Sequence, residues 1–95
     1  MEKIDHIAVV VTNINQAVNW YRNNRDCEVN YQDESWAELQ SENIKLALVL
    51  PQDHPAHIAF EDETVKGGEK HRDLSESVYE HDTFGNIIER IKYIK

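Results

Sequence analysis

Apolar and polar positions along this chain fall into short blocks whose period switches between strand-like and helix-like. Residues 3–12 are β-branched and nearly continuously apolar, which reads as a buried strand. Ile7, Val9 and Val11 share one of its faces, and Ile4, His6, Ala8 and Val10 share the other. Residues 14–24 change to a helical period, with Ile14, Ala17, Val18 and Tyr21 at i, i+3, i+4 and i+7. Asn13 is placed to cap that helix, with Gln16 three residues on. Residues 27–33 and 35–41 read as a hairpin turning at Asp33-Glu34, and residues 43–50 as a strand apolar on both faces that Pro51 closes. A short apolar strand follows at 56–60. The charged stretch 61–74, with Gly67-Gly68, reads as a loop. Residues 75–81 and 87–94 form a last hairpin around residues 82–86. His6-Ile7-Ala8 and His57-Ile58-Ala59 repeat one pattern at about half the chain length. The expected class is α+β: strand, helix and three strands, then a second set of strands without a helix.

The missing helix has a consequence for the last hairpin. Its outer face should meet water, so a five-residue turn would set Glu76 opposite Lys92 and Glu80 diagonal to Arg90. The inner face then carries Ser75, Ser77, Tyr79 and His81 across from Ile87, Glu89 and Ile91, which describes a polar cavity better than a dry core. Glu89 is the most telling of these. A carboxylate on an apolar strand face is costly unless a base such as His81 pairs with it or a metal binds it. His6 and His57 lie in equally apolar runs. Two imidazoles and a carboxylate on rigid strands are a recognised donor set for a metal.

Composition narrows the partners. At 95 residues the chain is one small domain, spanning 1–95. Its net charge of −8 argues against nucleic acid, which needs basic patches. No apolar run approaches the ~20 residues of a membrane span. The single cysteine, Cys27, has no internal disulfide partner, which together with the absence of a visible signal peptide predicts a cytoplasmic protein. Trp20 and Trp36 read as core or interface anchors. Cys27 reads as a small strand hydrophobe, and His54, His71 and His81 as surface or rim residues.

With these elements placed, the sequence resembles the vicinal oxygen chelate superfamily, which includes glyoxalase I, fosfomycin- and bleomycin-resistance proteins and type I extradiol dioxygenases. The likeness is carried by residues 4–13, 17–21, 56–60 and 77–89. The last of these ends in Asp82-Thr83-Phe84-Gly85-Asn86-Ile87-Ile88-Glu89. That run is similar to the family's Asp-Pro-Asp-Gly-Asn-x-x-Glu turn and strand, apart from Thr83 and Phe84. The resemblance implies paired βαβββ modules forming a curved mixed sheet around a cleft, with module one at 1–52 and a reduced module two at 55–95 that lacks its helix. It implies His6, His57 and Glu89 as ligands of a divalent metal (Fe, Mn, Zn or Ni). The remaining family position, in the last strand of module one, falls near Leu48, which cannot ligate. Tyr79 would be the catalytic residue and Ser77 a substrate contact. Arg72 reads either as an exposed loop arginine or as the grip on an anionic substrate.

Three functions follow as expectations. The first is a small metal-dependent enzyme of lyase, isomerase or dioxygenase type, acting on a small molecule with neighbouring oxygens. The second is a metal-free binding module of the bleomycin-resistance type. The third is a degenerate, non-catalytic subunit. A thinned second module leaves sheet edge and apolar surface uncovered, so a homodimer is expected.

Overall fold

The computed structural model describes residues 1–71 and 74–93. Arg72 lies outside the described residues. The protein is α+β, with one helix and eight strands among the described residues. It divides into two compact units: residues 6–56, and residues 1–5 together with 57–95.

The first unit holds β1 (Ile4–Val10), whose first two residues belong to the other unit, then α1 (Ile14–Asn24), β2 (Glu28–Gln32), β3 (Trp36–Gln40) and β4 (Lys45–Val49). The strand order is β2-β3-β4-β1, with β1 parallel to β4 and the other neighbours antiparallel. The helix spans the residues its periodicity predicts. Asn13 caps it, its side chain accepting the Gln16 N–H at 2.9 Å. Ile14 and Val18 pack with Ala37, Leu39 and Leu48 into a closed core, against which Val9, Val11, Ala17, Tyr21 and Cys27 lean. In β4, Ala47, Leu48 and Val49 are all buried, as expected of a strand covered on both faces.

Two expectations for this unit change. Ile7 and Val10 are exposed, because α1 covers only the Val9 and Val11 end of one face of β1. Of the core and interface readings of Trp20 and Trp36, the core one falls: both are exposed, and Trp36 stacks on Tyr31 with ring centroids 4.6 Å apart.

The second unit holds β5 (His57–Glu61), β6 (Glu69–Lys70), β7 (Ser75–His81) and β8 (Ile87–Tyr93), in the order β5-β8-β7-β6. β5 runs parallel to β8 and the other neighbours are antiparallel. Its wiring therefore repeats that of the first unit with the helix removed. The hairpin register is the expected one: Glu76 opposes Lys92, Ser77 opposes Ile91 and Tyr79 opposes Glu89. Glu80 reaches diagonally to Arg90, at 3.9 Å.

The outer face of this hairpin is only partly open to water, however: Glu80 is exposed at one end of it, while the other end is covered. Glu76 is only 7% exposed. Residues 62–68, expected to be a plain loop, form a strap over that face and stand in for the helix. Asp62 donates its N–H to Ile91 O at 2.8 Å and accepts from Arg90 Nε at 2.8 Å. Thr64 closes on Asp62 and receives Arg90 Nη2. Val65 is fully buried, and the Gly68 N–H donates to Glu76 Oε2 at 2.9 Å. Gly68 is glycine for close approach: a β-carbon there would lie 2.7 Å from the Ser77 carbonyl carbon and 2.9 Å from Val78 Cγ1. Gly67 has open space around it and a φ of +68°.

Two outcomes test the strap. Gly68→Ala should destabilise by about 3 kcal/mol, since rigid backbone must move, against about 1 kcal/mol for the φ strain of Gly67→Ala. Equal denaturation midpoints for the two variants would remove the strap from its place on β7. The Asp62 carboxyl is held down to about 2, first by the Thr64 hydroxyl and then by Arg90. A depressed folded value gives stability that is full above the ordinary aspartate range near ~4 and is lost as pH falls toward about 2. Asp62→Asn should therefore unfold more easily than wild type at pH 6, with the difference closing in acid titrations toward pH 2.

Candidate metal centre

Glu89 lies in β8 because Ile87, Ile88 and Ile91 make that segment a strand, and the strand period turns Glu89 to the inner face with Ile87 and Ile91. It is 3% exposed. The parallel register sets Ala59 beside Glu89 and His57 beside Ile87, so Glu89 and His57 are diagonal neighbours on one face. His57 is 8% exposed, and its Nε2 lies 3.0 Å from Glu89 Oε1. The partner of Glu89 is thus His57 and not His81, which is exposed at the rim of the turn. A small neighbour makes the approach possible: fully buried Ala59 leaves room for the carboxylate beside it.

Tyr79 stands directly across from Glu89 and meets His57 edge-on, with centroids 6.0 Å apart. Its phenol is pushed up to about 12, chiefly by burial and then by the negative charge of Glu89. Tyr79 is nevertheless 41% exposed, the most open member of the group. A phenol with that value stays protonated at neutral pH and serves as a donor, not as a base. Ser77 is fully buried, and its Oγ lies 2.6 Å from His71 Nε2.

His71 was expected as a surface or rim residue. It is half-buried and belongs to this group. The signal was available in the alternation: Glu69 opposes Ser77 and Lys70 opposes Glu76, so His71 continues β6 on the face of Ser75 and Ser77. Reading Gly67-Gly68 as a flexible loop concealed that short strand.

His6 lies in β1, half-buried. The internal registers give it the same place in its module that His57 has in the other. His6 is two residues before Ala8, which pairs with Ala47, and His57 is two residues before Ala59, which pairs with Glu89. The counterpart of Glu89 in the first module is therefore Ala47. Leu48, one residue on, points to the opposite face and packs with Ile14 and Val18. Neither Ala47 nor Leu48 offers a donor atom, so the first module contributes no ligand from its last strand.

No family model matches this chain, and no curated protein does. Solved structures do. A hypothetical protein from Bacillus halodurans, BH1468, superposes with a TM-score of 0.81 at 15% identity, over 99% of this chain and 96% of its own. A variant of Streptomyces coelicolor methylmalonyl-CoA epimerase bound to 2-nitronate-propionyl-CoA gives 0.77 at 19% identity, over 98% of both chains. Methylmalonyl-CoA epimerase from Mycobacterium tuberculosis gives 0.72 at 15% identity, over 97% of this chain and 88% of its own. The alternation of strands, the single helix and these superpositions agree: the chain has the fold of the vicinal oxygen chelate superfamily.

Proposed function

We propose that the protein is a small metal-dependent enzyme of the isomerase type, holding a divalent ion through His6, His57 and Glu89. The carrying observation is the buried pair of His57 and Glu89, nitrogen and oxygen 3.0 Å apart on rigid strands. Two donors each ~2.1 Å from one ion at a right angle are separated by about 3.0 Å. Two imidazoles and one carboxylate suit Fe, Mn, Zn or Ni and leave coordination positions for a ligand with neighbouring oxygens. When bound, such an ion would act as a Lewis acid on a substrate oxygen.

The chain's own residues then have distinct tasks. Tyr79, protonated and partly exposed, would donate a hydrogen bond to a bound oxygen. Ser77, buried on the same face, would contact the substrate. The epimerases of the same fold make an isomerisation of an acyl thioester the reaction to try first. No helix among the described residues is long and apolar enough to cross a membrane.

A second reading is favoured by one feature. His57 and Glu89 satisfy each other directly, which is compatible with a metal-free module that only binds small molecules. One set of measurements separates the two. Protein purified without a histidine tag should carry close to one equivalent of a divalent transition metal by elemental analysis. Glu89→Gln, which keeps the shape of the site, should lower that content at least tenfold. Metal-loaded protein should exchange the α-proton of methylmalonyl-CoA with solvent deuterium. Wild-type protein that stays metal-free after dialysis against Zn²⁺, Mn²⁺ and Ni²⁺ would sink the enzyme reading in favour of the binding module.

A further inference from the structure

We propose that Lys45 binds an anionic group of the substrate, a carboxylate, beside His6. This deepens the reading of His6 as a metal ligand and rests on it: the ion would hold the neighbouring oxygens, and the lysine the negative charge next to them.

The placement follows from two strand registers within the first unit. β4 reads Lys45-Leu46-Ala47-Leu48-Val49, and the lysine is its one polar residue. Leu46 and Leu48 pack with Ile14 and Val18 of α1, so strand alternation puts Lys45 on the opposite face with Ala47 and Val49. Ala8 joins Ala47 and Val49 in a buried cluster, which identifies that face as the one carrying His6 on β1. The parallel pairing sets Lys45 directly beside His6, one strand spacing of about 4.8 Å away. The antiparallel pairing sets Gln40 on its other side. One row of the face therefore runs Gln40, Lys45, His6.

The two modules carry opposite charge at this point in their wiring. In the second, Ile87 pairs with His57, and Glu89 follows two residues on. In the first, Lys45 pairs with His6, and Ala47 follows two residues on. The last strand of one module thus gives a carboxylate, and that of the other an ammonium. Lys45 is half-buried, and it is the one lysine or arginine on β1 to β4. Lysine is disfavoured in strands. Its ordinary use there is to lay the carbon stem over neighbours with the charge in water. What sets Lys45 apart is the charge of the rest of the chain. With 18 acidic and 10 basic residues and a net charge of −8, the protein repels anions as a whole. A carboxylate enters such a protein where a local cation receives it, and a strand-held ammonium does so through a charge-assisted hydrogen bond.

The test uses the whole chain loaded with Zn²⁺, and malonate as probe, which offers one carboxylate to the ion and a second to Lys45. Binding is read by calorimetry, and Zn²⁺ content by elemental analysis. Lys45→Met keeps the stem and removes the charge. It should retain Zn²⁺ and weaken malonate binding about 10- to 100-fold, the range of a hydrogen bond to a charged group. Lys45→Arg should recover the affinity to within about fivefold, a rescue that a mere covering stem would not need. Lys66→Met removes an exposed charge of the strap and should change malonate binding less than about twofold, which separates a local contact from net charge. Absence of malonate binding by the Zn²⁺-loaded wild type, equal affinity in wild type and Lys45→Met, or an equal loss in Lys66→Met overturns the inference and leaves the metal reading standing. A wild type that takes up no Zn²⁺ overturns the metal reading, and the inference falls with it.

Discussion

Everything distinctive about this protein depends on keeping a carboxylate out of water. Glu89 is almost wholly buried on the inner face of a strand, where an unpaired charge would be strongly unfavourable. The parallel pairing of β5 with β8 meets that demand by setting His57 diagonally beside it, with a minimal side chain, Ala59, in between. The same burial raises the Tyr79 phenol, and the same face carries Ser77 and His71. A group of polar side chains held this firmly adds little to stability by itself, since hydrophobic replacements of buried pairs are often neutral or favourable. Its value lies in what the arrangement can bind.

The second unit shows how a fold can lose an element and keep its sheet. In the first unit α1 covers one face of the strands. In the second, residues 62–68 cover the matching hairpin with far fewer atoms, through one buried valine, one glycine in close approach and an aspartate gripping Arg90. A strap of this kind needs backbone-level contact, because it has too little apolar surface to hold by area alone. Gly68 supplies that contact by bringing the chain against β7 where any side chain would clash.

Much of this was legible in the sequence, and for a common reason. The helix at 14–24, the hairpin register of β7 with β8 and the inward turn of Glu89 are all consequences of period and of turn length, which are local. The pairing of Glu89 with His57 instead of His81 was not legible. It depends on β5 lying next to β8, a neighbour relation between distant segments. Leu48 was one residue away from the true counterpart of Glu89, Ala47, because strand register is set by pairing and not by counting along one segment. The strap and His71 were hidden by their charge and by Gly67-Gly68, features that read as a loop when no partner is in view. Arg72, read either as an exposed loop arginine or as the grip on an anionic substrate, lies outside the described residues.

The central claim is that His57 and Glu89 share a metal ion. Anomalous diffraction from crystals of protein loaded with Zn²⁺, collected on both sides of the zinc edge, addresses it most directly. The account predicts one strong edge-dependent peak within about 2.0–2.2 Å of His57 Nε2 and of a Glu89 carboxylate oxygen. A map with no such peak, and with the two side chains still bonded to each other, would contradict it.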